Sequence, residues 1–188
     1  MPAIKKITVS LLLEGDIAEV GELVLSDSKI YFRYNADFLK NGLNLSPIKL
    51  PFTNDILSAD KEPFDGLFGV FNDSLPDGWG RLLLDRSLAS KGIDIAGITP
   101  LDRLAFVGSS GMGALTYKPE MEPTEDTGLI PELDILAYEM NQILQGTSSD
   151  IIEELFILGG SSGGARPKVF VGYNPHSNEL THGFDHLP

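Results

Sequence analysis

The spacing of apolar residues changes once along this chain, near residue 63, and that change bounds what it can fold into. Before it, strand-like runs alternate with short turns. Ile7-Thr8-Val9-Ser10-Leu11-Leu12-Leu13 precedes the turn Glu14-Gly15-Asp16; Val20–Leu25 precedes Ser26-Asp27-Ser28-Lys29; then comes Ile30-Tyr31-Phe32-Arg33-Tyr34. β-Branched and aromatic side chains suit a half-buried pleated surface, and turns this short join antiparallel neighbours, so a meander is predicted. Asn41-Gly42 closes a short helical piece, and the Pro-punctuated segment Ser46–Phe52 is expected to be an edge strand or extended segment.

Beyond residue 63 the spacing becomes helical. Phe64, Leu67, Phe68 and Phe71 lie at i, i+3, i+4, i+7, the pattern of a buried helix face. Leu82, Leu83, Arg86 and Ser87 belong to a second helix, with Gly92 placed to end it in a left-handed conformation. Thr99-Pro100-Leu101-Asp102 has a hydroxyl cap, proline at the first helical position and an acid in the first turn. Ala114–Tyr117 reads as a strand. Residues 118–131 lack periodicity and hold three prolines, which marks a linker. After it, Leu133, Leu136, Ala137, Met140 and Leu144 give one helix face, and Ile151, Ile152, Leu155 and Phe156 another. Val169–Tyr173 and Glu179–Thr181 flank a turn and read as a hairpin.

Composition excludes several classes of function. The chain has 188 residues, enough for a real core, and no cysteine, so disulfide and thiolate chemistry are ruled out and a reducing cytoplasm is expected. No apolar run approaches the ~20 residues that span a bilayer, and the start shows no signal-peptide pattern, so no membrane partner is expected. Net charge is −13 and unevenly spread: residues 1–118 carry 12 Lys and Arg against 15 Asp and Glu, residues 119–188 only 2 against 12. Gripping a phosphate backbone needs several neutralising cations, so direct nucleic-acid binding is not expected.

One stretch carries chemistry. Gly159-Gly160-Ser161-Ser162-Gly163-Gly164-Ala165-Arg166-Pro167-Lys168 puts four glycines around two hydroxyls and follows them with two cations. Such a backbone offers N–H groups to an anion with no side-chain wall. Neither standard phosphate fingerprint fits. Gly159 and Gly164 have the Walker A spacing, but Ala165-Arg166 stands where Lys-Ser belongs. The Rossmann loop should follow a strand and open a helix, and here the order is reversed. A loop that leads into a hairpin is closer to the flap a kinase lays over nucleotide phosphates. Taken alone, the stretch reads equally well as a connector of small residues.

The other candidates are weaker. His176, His182 and His186 cluster near the end, but Gly183 and Pro188 argue against a helical zinc pair, and no metal site is expected. Asp185 beside His186 lacks the arginine and asparagine of a kinase catalytic loop. Trp79, in Leu75-Pro76-Asp77-Gly78-Trp79-Gly80, reads as a packing anchor beside a tight turn.

Three segments in order resemble one family. They are Phe71-Asn72-Asp73-Ser74-Leu75-Pro76-Asp77, then Leu104-Ala105-Phe106-Val107-Gly108 with Gly111-Met112-Gly113-Ala114-Leu115, then the glycine stretch through Lys168. The chain resembles HipA, the serine/threonine-kinase toxins of bacterial type II toxin–antitoxin modules. The resemblance implies an α+β fold: a small β-rich, barrel-like subdomain with helices over 1–120 that contacts the antitoxin, a linker over 121–131, and the start of a kinase-like N-lobe over 132–188. It further implies that Gly159, Gly160, Ser161, Ser162, Gly163, Gly164, Ala165, Arg166 and Lys168 form an ATP-phosphate loop. Ser161 is the implied autophosphorylation site, with Ser162 the alternative if the register is off by one. A phosphoserine there would repel the nucleotide phosphates.

The same resemblance implies ATP and Mg²⁺ as cofactors, a helix-turn-helix antitoxin as partner and a protein substrate. The family's ATP-anchoring lysine and catalytic C-lobe have no counterpart among these residues. Phosphoryl transfer needs that positioning and charge stabilisation, so the 188 residues alone are expected to be inactive, with no catalytic residue of their own. A second expectation, of a different class, is a stand-alone binding module that pairs with and neutralises a kinase toxin.

Overall fold

The computed structural model describes residues 3–121, 133–147, 151–159 and 163–182. Strands β1 (Lys6–Leu13), β2 (Asp16–Ser26) and β3 (Lys29–Tyr34) form the expected antiparallel meander. Both connections are two-residue turns, Glu14-Gly15 and Asp27-Ser28, with positive φ at every central position. Turns of that hand match the right-handed twist of the strands they join. Helix α1 (Phe38–Asn41) follows β3, and β4 (Leu57–Ser58) pairs with β3 at the edge. Further along are α2 (Gly69–Asn72), α3 (Gly78–Ser90), α4 (Pro100–Val107) and β5 (Leu115–Lys118), which pairs with β1.

The sheet order is β4-β3-β2-β1-β5. It is an open five-stranded sheet, not a closed barrel: among the described residues β4 and β5 are its two edges. Between Val9 and Ser10 the register shifts, because Val20 is an extra residue in β2. The bulge buries Val20 and Gly21 side by side. Gly21 is required there, since a Cβ would collide with the Arg33 carbonyl.

The chain divides into two compact units, Met1–Leu75 with Ala96–Glu122, and Pro76–Ile95 with Pro123–Pro188. The division is not a single cut in the sequence: α3 belongs to the second unit although 96–122 returns to the first. The core of the first unit joins Ile7, Val9, Leu23, Phe32 and Tyr34 of the sheet to Phe71 of α2 and Leu101, Leu104 and Ala105 of α4. Phe32 is its aromatic centre, 4.8 Å from the Tyr34 ring edge-on and 4.9 Å from Phe71. Burial pushes the Tyr34 phenol up to about 12 and raises that of Tyr117, whose hydroxyl donates to Ser74 Oγ at 2.6 Å.

Two local expectations are corrected. Phe64–Phe71 is not one helix, because Asp65 and Gly66 are both left-handed and only Gly69–Asn72 is helical. Leu67, Phe68 and Phe71 are nevertheless buried, delivered by a turn and a single helical turn. Ser46–Phe52 is neither edge strand nor extended. It coils so that the Leu50 N–H reaches the Ser46 carbonyl at 3.0 Å and the Leu50 side chain enters the core.

In the second unit, α3 contains all four residues assigned to this helix and buries Trp79, Leu83, Leu84, Ser87 and Leu88. It ends as Gly92 predicts: the Gly92 N–H donates to Ala89 and the Ile93 N–H to Leu88, a Schellman closure. Helix α5 (Leu133–Leu144) buries Leu136 and Ile143, whereas Ala137 and Leu144 are exposed. Helix α6 (Ile152–Gly159) buries Ile152, Leu155, Phe156 and Leu158 and packs on α3. β6 (Val171–Asn174) and β7 (Glu179–His182) make the predicted hairpin. The linker residues 122–131 lie outside the described residues. Among those described, no helix is long and apolar enough to cross a membrane.

Candidate functional site

The glycine stretch begins at the last residue of α6. The Phe170 N–H donates to the Leu158 carbonyl at 2.8 Å, and the Lys168 carbonyl sits against Gly159 where any Cβ would overlap it. The loop is therefore pinched at its base, and Gly159 is glycine for steric reasons. Gly160, Ser161 and Ser162 lie outside the described residues. Gly163, Gly164, Ala165 and Arg166 are exposed, and Lys168 is half-buried. The Lys168 ammonium donates to the Gly163 carbonyl at 2.5 Å.

Gly164 is held from both sides. Its N–H donates to Asp77 Oδ1 at 2.7 Å, and its carbonyl accepts the Trp79 N–H at 2.9 Å. Asp77 is the N-cap residue of α3, yet its side chain makes no bond to its own helix. The first N–H groups of a helix have no partner within it and are normally met by a capping side chain. Here the loop carbonyl fills that role for Trp79, and the capping carboxylate turns outward to the loop. Gly78 lies between them at φ +38°; a Cβ there would stand 2.6 Å from the Gly164 oxygen and 2.7 Å from Ala165 Cα. No side chain fits.

The Gly164 N–H, a donor the sequence assigns to a phosphate, is thus taken by a protein acceptor, while the Lys168 ammonium gives one of its three N–H groups to the Gly163 carbonyl. The Asp77 carboxylate occupies the approach to Gly164 and repels an anion. In this arrangement a phosphate could reach the Gly164 N–H only after Asp77 lets go. No cluster of three His, Asp or Glu among the described residues could hold a metal ion. His176 is exposed, with its N–H donating to Asn174 Oδ1. The His182 side chain, Asp185 and His186 lie outside the described residues. Trp79 is buried as an anchor; its Nε1 and Ser87 Oγ have no hydrogen-bond partner among the described residues.

Sequence reasoning missed Asp77. An Asp-Gly pair just before a helix is a legible N-cap signal, but its partner in the loop is not. It also underestimated Asp102. This carboxylate is 1% exposed and closes the Thr99 capping box, accepting from Thr99 N and Oγ1 at 2.9 and 2.7 Å. Its other oxygen accepts the Ile4 N–H at 2.8 Å, tying the segment that leads into β1 to α4.

An open antiparallel sheet backed by α4, followed by helices that lead into a glycine loop, defines an α+β protein. Residues 13–118, more than half of the chain, match the family described as the HipA N-terminal domain. The chain belongs to the HipA family through that domain, as the resemblance of its sequence motifs implied. No curated protein and no solved structure matches it. The glycine loop lies beyond the matched residues.

Proposed function

We propose that this chain is the N-terminal region of a HipA-like serine/threonine protein kinase toxin, in which residues 159–168 form the nucleotide-phosphate loop of a kinase-like N-lobe. Ser161, or Ser162 in the alternative register, is the residue the kinase phosphorylates on itself. ATP with Mg²⁺ is the nucleotide, a helix-turn-helix antitoxin the partner, another protein the substrate, and the cytoplasm the setting. The carrying observation is the order of parts: a HipA N-terminal domain, then a helix pair, then Gly-Gly-Ser-Ser-Gly-Gly-Ala-Arg-Pro-Lys pinched at its base and opening into a hairpin. Phosphoryl transfer needs charge stabilisation that a loop alone does not supply, so this chain by itself binds and positions and does not transfer.

The experiment is to express the natural gene, locate phosphate by tandem mass spectrometry and titrate the product with ATP and Mg²⁺. Phosphate on Ser161 supports the reading. An unmodified loop together with no ATP binding overturns it.

The second reading is a non-catalytic module that neutralises a kinase partner. It is favoured by the Asp77 carboxylate that holds the Gly164 N–H. Stable co-purification with a separately encoded kinase, without ATP binding by the chain itself, would select it.

A further inference from the structure

The β1–β2 hairpin reaches past the sheet. β5 pairs with β1 only over Thr8–Leu11, and β3 pairs with β2 only from Gly21 onward. The Leu12 N–H still reaches the Ala114 carbonyl at 2.7 Å; beyond it, Leu13 has only Asp16 as strand partner, and Ile17 and Ala18 have only Leu12 and Leu11. This projecting end is apolar where a hairpin tip is normally polar. Leu12, Leu13 and Ile17 are 43%, 55% and 72% exposed. Leu12 and Ile17 are cross-strand partners, while Leu11 and Leu13 alternate onto the opposite face.

On that opposite face lies an open cleft of about 640 Å³, in which Leu13 is joined by Leu43, 61% exposed. Its lining holds four carboxylates, Glu14, Asp16, Glu19 and Asp37, and no lysine or arginine. Lys40 pairs with Asp37 at 2.7 Å, so even with this neighbour counted the rim is net negative. An apolar centre within a charged rim is the anatomy of a protein interface, and the sign of the rim selects the partner. A second copy of the chain would bring like charges together. A small molecule in the cleft would leave Leu12 and Ile17 on the far face uncovered.

We propose that the β1–β2 hairpin and the Leu13–Leu43 cleft form a docking site for a basic amphipathic segment of a protein partner. An aliphatic side chain seats between Leu13 and Leu43, and flanking Lys or Arg residues meet Glu14, Asp16 and Glu19. The inference is independent of the glycine-loop reading and holds whether or not the chain handles a nucleotide.

The probe is a fluorescent amphipathic peptide of Leu and Lys, compared with its Leu and Glu counterpart by anisotropy. The Leu/Lys peptide should bind saturably and weaken about tenfold on raising salt from low to well above physiological, as exposed charge pairs are screened. The Leu/Glu peptide should not bind. Leu13→Lys and the charge-only pair Glu14→Lys with Asp16→Lys should each lower affinity at least about tenfold, whereas Leu144→Lys, outside the patch, should change nothing. Circular dichroism checks that each variant is folded. Absence of binding, equal binding of both peptides, or unchanged affinity in the folded hairpin variants would overturn the proposal. So would a dimer that dissociates on Ile17→Lys, because the occupant would then be a second copy.

Discussion

Asp77 Oδ1 accepts the Gly164 N–H at 2.7 Å across 87 positions of sequence, and the Gly164 carbonyl returns a bond to Trp79 two residues beyond Asp77. Helix α3 and the glycine loop complete each other: the loop caps the helix, and the helix's cap residue holds the loop. Asp77→Ala should therefore loosen the loop without unfolding the protein. One exposed hydrogen bond contributes on the order of 1 kcal/mol, so amide exchange at Gly164 should speed up roughly five- to tenfold. Unchanged protection at Gly164 would show that the carboxylate does not hold it.

Replacing the same carboxylate by an amide separates restraint from charge. Asp77→Asn keeps an acceptor for Gly164 but removes the anion beside it. A like charge near the surface opposes phosphate by about 1 kcal/mol, so titration of the Gly164 amide resonance with inorganic phosphate should show roughly fivefold tighter binding in Asp77→Asn. Equal or weaker binding would place the phosphate elsewhere.

Gly78 has no tolerance for a side chain. Its left-handed backbone penalises any Cβ, and the atoms such a Cβ would meet are backbone at Gly164 and Ala165, which cannot rotate away. Gly78→Ala should cost about 2–4 kcal/mol from strain and overlap together, read as a lower urea midpoint. It should also remove exchange protection at Trp79.

In the first unit the sensitive carboxylate is Asp102. Asp102→Ala leaves Thr99 uncapped and the Ile4 N–H without its acceptor in a buried setting, a loss of about 2–4 kcal/mol by urea unfolding. Asp102→Asn retains one acceptor oxygen and should cost clearly less. If alanine proves as mild as asparagine, the tie between Ile4 and α4 is not a stabilising one.

Alkaline pH should destabilise the first unit. An acid whose pKa is raised by folding contributes stability that is complete below its unfolded value and is lost as pH rises through the folded one. For Tyr34 that window runs from 10.0 to about 12, and Tyr117 acts in the same direction. The urea midpoint should fall steadily above pH ~10 as the unfolded phenols ionise. Tyr34→Phe should flatten that fall. An unchanged slope in Tyr34→Phe would mean that the phenol is not desolvated in the folded state.

Much of the fold was legible because the signals are local. The meander follows from alternation and from Glu14-Gly15 and Asp27-Ser28. The ends of α3 and α4 follow from Gly92 and from Thr99-Pro100-Leu101-Asp102. Each is decided within a few residues by backbone sterics or by one capping bond. The errors came where spacing alone was trusted. Phe64–Phe71 has a helical period, but Asp65 and Gly66 break the helix, and a helical face can be delivered to a core by a turn. Ser46–Phe52 has strand-like punctuation, but Leu50 is drawn inward by the core.

The sequence by itself determined the α+β class, the HipA family and the glycine loop between α6 and a hairpin, because period, capping and motif order are written along the chain. Only the tertiary structure decided that α3 shares a unit with the loop and that Asp77 and Trp79 consume both backbone groups of Gly164. The physical reason is distance. A hydrogen bond between residues 87 apart leaves no periodicity or composition to read, and it forms only once packing of α3 on α6 has brought the two backbones together.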